Sequence, residues 1–169
     1  YMNWLADMKA ENELDYLILG NHYEHDDEHG FYFGNTRTAD ELRRYVDSAV
    51  KGLETGLFAY LAHPDLFMRD YGRALDDDGR AAAKELCQAC KALDIPMEYN
   101  LHDRFLSPIT HRKSYPDADF FDIVRREGVR VLIGLDAHEP AEIRNPAQWN
   151  LAMKELEPFG ALHEERLSL

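Results

Sequence analysis

Four short apolar runs, each followed by a segment with apolar residues at helical spacing, set the rhythm of this chain. The first run, Asp15 to Gly20, ends on a glycine and predicts a strand. A polar, aromatic-rich loop from Asn21 to Arg37 follows it. Thr38 with Glu41 then forms a capping box, and Leu42, Tyr45, Val46, Ala49 and Leu53 recur on one helical face until Gly56. The second strand is expected over Leu57 to Ala62, ending at His63, and its helix runs from near Asp77 to Leu93. That helix places Ala83, Leu86, Cys90 and Leu93 on one face. A third strand spans Pro96 to Asn100, and a basic loop carrying His102, Arg104, His111, Arg112 and Lys113 leads to a helix entered at Asp117 and closed by Gly128. The fourth strand spans Val129 to Leu135. Asn145-Pro146 opens the last helix, with Trp149, Met153 and Leu156 expected on its buried face.

Strands alternating with helices predict an α/β fold, a parallel sheet covered by helices through right-handed crossovers. No repeat or low-complexity linker divides residues 1–169, so they read as one domain or part of one. The chain is shorter than a complete (β/α) barrel, which takes about 250 residues.

Composition narrows the functional classes. With 45% apolar and 30% charged residues, the chain has enough apolar surface to build a core and is not of disordered type. The formal net charge of -13, from 32 acidic against 19 basic residues, repels a phosphate backbone and argues against nucleic acid as a partner. A small anionic substrate stays compatible, because metal ions and a few cations reverse the field inside a pocket. No apolar run reaches the roughly 18 residues of a membrane span, and no basic region followed by an apolar stretch marks a signal peptide. The two cysteines, Cys87 and Cys90, fall mid-helix, where packing is expected rather than redox chemistry. So few thiols suit a reducing cytoplasm. The chain opens on Tyr1, which suggests a start inside a longer protein.

Candidate chemistry sits where the strands end. The first reaches Gly20-Asn21-His22, the second His63-Pro64-Asp65, the third Glu98-Tyr99-Asn100 and the fourth Asp136-Ala137-His138. If the strands are parallel, all four project to one rim, the place where α/β sheets do chemistry. Imidazole and carboxylate groups converging there suit zinc, iron or manganese. The metal ligands expected are His22, His63, Asp136 and His138, whereas His25 and His29 read as loop residues.

The motifs Gly20-Asn21-His22, Ala62-His63-Pro64-Asp65, Glu98-Tyr99-Asn100 and Gly134-Leu135-Asp136-Ala137-His138 together resemble the polymerase-and-histidinol-phosphatase (PHP) family. Arg112-Lys113-Ser114-Tyr115-Pro116 is similar to a stretch of its histidinol phosphatases. The resemblance implies the C-terminal portion of a distorted (β/α)7 barrel, about four β-α units long. It implies a site of two or three divalent ions, with His22 and His63 sharing one, Asp136 holding a second and His138 a third. Asp136 and His138 would be catalytic through those ions, and Arg112 with Lys113 would hold the substrate phosphate. Glu98 and Asn100 would support the ligands from behind. The implied activity is hydrolysis of a small phosphate monoester, histidinol phosphate first and nucleotides or sugar-like phosphates second. A non-catalytic accessory PHP domain is the reading from a different class. The family's opening His-x-His strand, a further His and a bridging carboxylate have no counterpart before Gly20. The isolated chain is therefore expected to lack a full site and to self-associate through exposed barrel edges.

Overall fold

The computed structural model describes residues 2–25, 29–72, 74–105 and 115–167. Its centre is a five-stranded, all-parallel sheet of β1 (Leu17–Leu19), β2 (Phe58–Leu61), β3 (Met97–Asn100), β4 (Val131–Gly134) and β5 (His163–Glu164). The strands lie in chain order with no reversal. With right-handed crossovers, every connection then steps the same way and leaves its helix on the same face, unlike a doubly wound sheet and compatible with part of a barrel.

That helical layer consists of α2 (Ala39–Leu53), α3 (Asp77–Ala92) and α4 (Ala118–Glu127), with α2 packed on α3 and α3 on α4. α2 begins at the expected capping box: the Thr38 side chain accepts the Glu41 N–H, and the Glu41 carboxylate accepts the Thr38 N–H in return. Asp117 caps α4 by accepting the Asp119 and Phe120 N–H groups, and Gly128 closes it at a φ of 73°. The core lies between sheet and helices, where Tyr45, Leu53, Leu61, Leu86, Met97, Phe120 and Val131 are fully buried. Cys87 and Cys90 belong to this core, and burial pushes both thiols up to about 12. They are packing residues at neutral pH.

The structure departs from the sequence expectations in four places. A polar helix, α1 (Met2–Glu11), precedes the first strand and buries none of its residues. The sheet has five strands rather than four, because His163–Glu164 pairs with β4 at Val131 and Leu132. Leu93 is 40% exposed, since the α3 helix ends just before it and turns it off the buried face. Trp149, on α6 (Pro146–Glu155), is 38% exposed instead of buried. Ala152 and Leu156 take the core positions, and Trp149 and Met153 line a cavity of about 480 Å³ with Tyr16, Tyr60, Leu132 and Glu164.

Side-chain alternation separates the two faces of the sheet. Tyr99 packs on Phe121 of α4, its ring centroid 4.5 Å away, so Glu98 and Asn100 point to the opposite face. Gly134, paired with Asn100, shares it. No described helix is long and apolar enough to cross a membrane.

Candidate metal centre

At the strand ends His22 meets His63 and Asp136 meets His138, but among the described residues the group whose ligand atoms all lie within 4.8 Å of one another is His102, His138 and Glu142 rather than the expected four. Each strand end is fixed by its own contacts. Beyond β1, Asn21 is buried, donates to the Tyr45 carbonyl at 2.9 Å and accepts the Ser48 hydroxyl at 2.9 Å. Those two bonds tie the rim to α2 and set the direction of the next residue, His22. The His22 ring folds back over Gly20, where an added Cβ would lie 2.8 Å from the ring carbon Cε1. Gly20 is thus the space in which the imidazole rests.

Beyond β2, the chain turns sharply at His63, which takes a φ of 29°. Positive φ in a non-glycine residue is costly and gathers at functional sites. The turn persists because the His63 N–H donates to Glu98 Oε2 at 3.0 Å and the Tyr45 hydroxyl donates to the Pro64 carbonyl at 2.8 Å. The His63 ring is 3% exposed and lies 4.6 Å from that of His22 and 6.0 Å from that of Tyr115. Its Nδ1 is buried, with no hydrogen-bond partner among the described residues. Burial, and then the neighbouring His22 imidazole, lowers the His63 pKa to about 4, while the Asp136 carboxylate opposes the shift and His102 adds to it. A neutral imidazole with a free nitrogen at physiological pH is the form that ligates a metal.

β3 contributes the groups beneath. Glu98 Oε2 also accepts Asn100 Nδ2 at 2.8 Å, and the same Nδ2 reaches Asp136 Oδ2 at 3.2 Å. Asn100 Oδ1 accepts the His102 N–H at 2.9 Å. One amide therefore links the ends of β2, β3 and β4. Burial holds the Glu98 carboxyl above its ordinary pKa. Room for Glu98 comes from Gly134, since a Cβ there would sit 1.7 Å from Glu98 Oε1.

Beyond β4, Asp136 has a φ of 46°, a second strained ligand candidate on the rim. The His138 ring nitrogen Nδ1 stands 2.8 Å from the Asp136 carbonyl oxygen, so that nitrogen carries the proton and Nε2 offers the lone pair. The His138 N–H donates to Glu142 Oε2 at 2.8 Å, and its ring lies 4.0 Å from that of His102. His102 and Glu142 were not expected as site residues. Their signal was the β3–β4 register, which sets a histidine two residues past Asn100 beside one four residues past Gly134.

Arg112 and Lys113 lie outside the described residues. His25 and His29, expected in a loop, are both exposed. Behind the rim, fully buried Asp65 accepts the Asp117 N–H at 2.6 Å and so docks the start of α4 against the end of β2. Its Oδ1 has no hydrogen-bond partner among the described residues, and burial, with smaller contributions from Asp117 and Asp103, raises its pKa to about 8. A folded-state pKa above the unfolded value of about 3.9 favours folding below that value, and the contribution is lost as pH rises through about 8. Asp65→Asn keeps an oxygen for the Asp117 N–H and removes the charge. Its melting temperature should exceed that of the wild type by several degrees above pH 8, with the gap closing towards pH 4. Calorimetry at the two pH values checks this, and a pH-independent gap would contradict it.

Fold and rim define a class: an α/β protein whose parallel strands deliver imidazoles and carboxylates to their C-terminal ends. The donor set, the orphaned His63 nitrogen and the strain at two candidate ligands fit a divalent ion of borderline softness. No family model matches the chain, and no curated protein matches it.

Proposed function

We propose that this chain is the C-terminal part of a metal-dependent phosphomonoesterase of PHP type, acting on histidinol phosphate. The observation that carries the reading is the meeting of His22 with His63 and of Asp136 with His138 at the strand ends, with the His63 Nδ1 buried and without a hydrogen-bond partner among the described residues. Bound there, two or three divalent ions would supply Lewis acidity and an activated water. The protein's own part is positional. Glu98 and Asn100 hold the His63 backbone and the Asp136 carboxylate in place, and the Asp136 carbonyl orients the His138 ring. Arg112, aided by Lys113, is the proposed phosphate clamp.

Phosphate release by the full-length protein, supplied with zinc, manganese or ferrous ion, tests the proposal. Histidinol phosphate should give the highest kcat/KM in a panel of phosphomonoesters. A nucleotide or sugar phosphate in first place would move the substrate within the class. No release from any ester would favour a non-catalytic accessory domain. Arg112→Ala should raise KM for the phosphate ester by about one to two decades, the loss of a charge-assisted contact of roughly 1.5–3 kcal/mol. Unchanged kinetics would remove Arg112 from the site.

The proposal extends to assembly. β1 pairs only with β2 among the described strands, and Ile18 on it is 44% exposed. An uncovered parallel strand edge tends to pair with another chain. Light scattering of this 169-residue chain should therefore report a dimer or larger species, and its phosphatase activity should fall far below that of the full-length protein. A stable, fully active monomer would contradict both expectations.

A further inference from the structure

We infer that the ion served by His138 is completed by His102 and Glu142, a divalent-cation site suited to zinc with an open coordination position. One ligand atom from each of the three lies within 4.8 Å of the others. A tetrahedral shell with bonds of about 2.1 Å spaces its ligands about 3.4 Å apart, so closing on an ion needs only side-chain adjustment.

Each member is already oriented. The Asp136 carbonyl takes the His138 Nδ1 proton and leaves Nε2 as the donor, the arrangement that fixes tautomer and direction in metal-bound histidines. Glu142 is held over the His138 backbone by accepting its N–H. His102 is placed by its own N–H, which donates to fully buried Asn100. Its Nδ1 is buried and has no hydrogen-bond partner among the described residues, an uncompensated polar atom that burial alone does not explain. The ring centroids of His102 and His138, 4.0 Å apart and tilted by 36°, bring two imidazoles to one spot without intervening protein.

Two imidazoles and one carboxylate are a donor set for zinc that leaves at least one position for water or substrate. This site includes His138 from the proposed rim but takes its other two ligands from the segment after β3 and from α5 (Pro140–Ile143). All three residues are present in this chain, so binding here does not depend on phosphatase activity.

The test is titration of the chelator-treated chain with cobalt(II), read by visible ligand-field bands, followed by zinc competition. His29→Ala, at an exposed histidine outside the site, should retain this ion. His102→Ala and Glu142→Gln should each weaken it by about tenfold or more, since direct ligand loss costs at least as much as loss of a supporting partner. Nitrogen-15 shifts of the imidazoles on zinc addition give a second readout that needs no variant, with His102 and His138 moving together at one equivalent. Unchanged cobalt affinity in His102→Ala, or zinc binding that leaves the His102 ring unshifted, would overturn the inference. A full-length protein without phosphatase activity but with this zinc response would refute the proposed function alone.

Discussion

His63→Ala should strip metal from the full-length protein and lower phosphatase activity by at least about 100-fold. The buried ring, facing that of His22, contributes a neutral imidazole whose Nδ1 has no hydrogen-bond partner among the described residues. Loss of a group that merely supports a ligand typically costs about 10–100-fold, which sets a lower bound for losing the ligand itself. Asp136 should behave likewise, with one complication. At a φ of 46°, alanine adds backbone strain of roughly 1–2 kcal/mol to the loss of a carboxylate. Asp136→Asn separates the two effects, because asparagine tolerates the left-handed conformation and keeps an oxygen for Asn100 Nδ2. Elemental analysis should find the ion missing in both variants. Full occupancy in a His63→Ala, Asp136→Ala double variant would remove these residues from the centre.

Gly134→Ala carries the second large effect, at a residue that touches no substrate in this account. The new methyl group would meet Glu98 Oε1 at 1.7 Å and its Cγ at 2.7 Å, so the whole buried side chain must move. Overpacking costs about 1–3 kcal/mol, and breaking a hydrogen bond to a charged group about as much again. A loss of about 3 kcal/mol lowers the melting temperature of a chain this size by roughly 10 °C. Metal affinity should fall as well, because Glu98 Oε2 anchors both the His63 turn and Asn100. In an Glu98→Ala background the space already exists, and Gly134→Ala should then add little. Equal penalties in both backgrounds would show that the clash is not with Glu98.

The alternation of strands and helices was legible because each helix carries local signals that tertiary packing did not override: the Thr38–Glu41 box, the Asp117 cap and the Asn145-Pro146 start are all present. Strand ends were legible for a similar reason, since an apolar run that stops at His63 or Asp136 marks its own rim. Other features lacked such signals. Strand β5 is two polar residues long, and only its pairing with β4 defines it. Helix α1 buries nothing, so no apolar stripe announced it. Helical spacing predicts Trp149 inward, but Ala152 and Leu156 fill that face and the indole lines the cavity instead. The partnership of His102 with His138 depends on the register between β3 and β4, which periodicity within either strand does not contain.

Metal dependence of phosphate release is the most direct test of the central claim. The full-length protein, dialysed against chelator and assayed on histidinol phosphate, should lose its activity. Adding back zinc, manganese or ferrous ion should restore it, with two or three ions bound per chain at full rate. Hydrolysis that survives complete metal removal, or a protein that binds no ion at the rim formed by His22, His63, Asp136 and His138, would contradict the account.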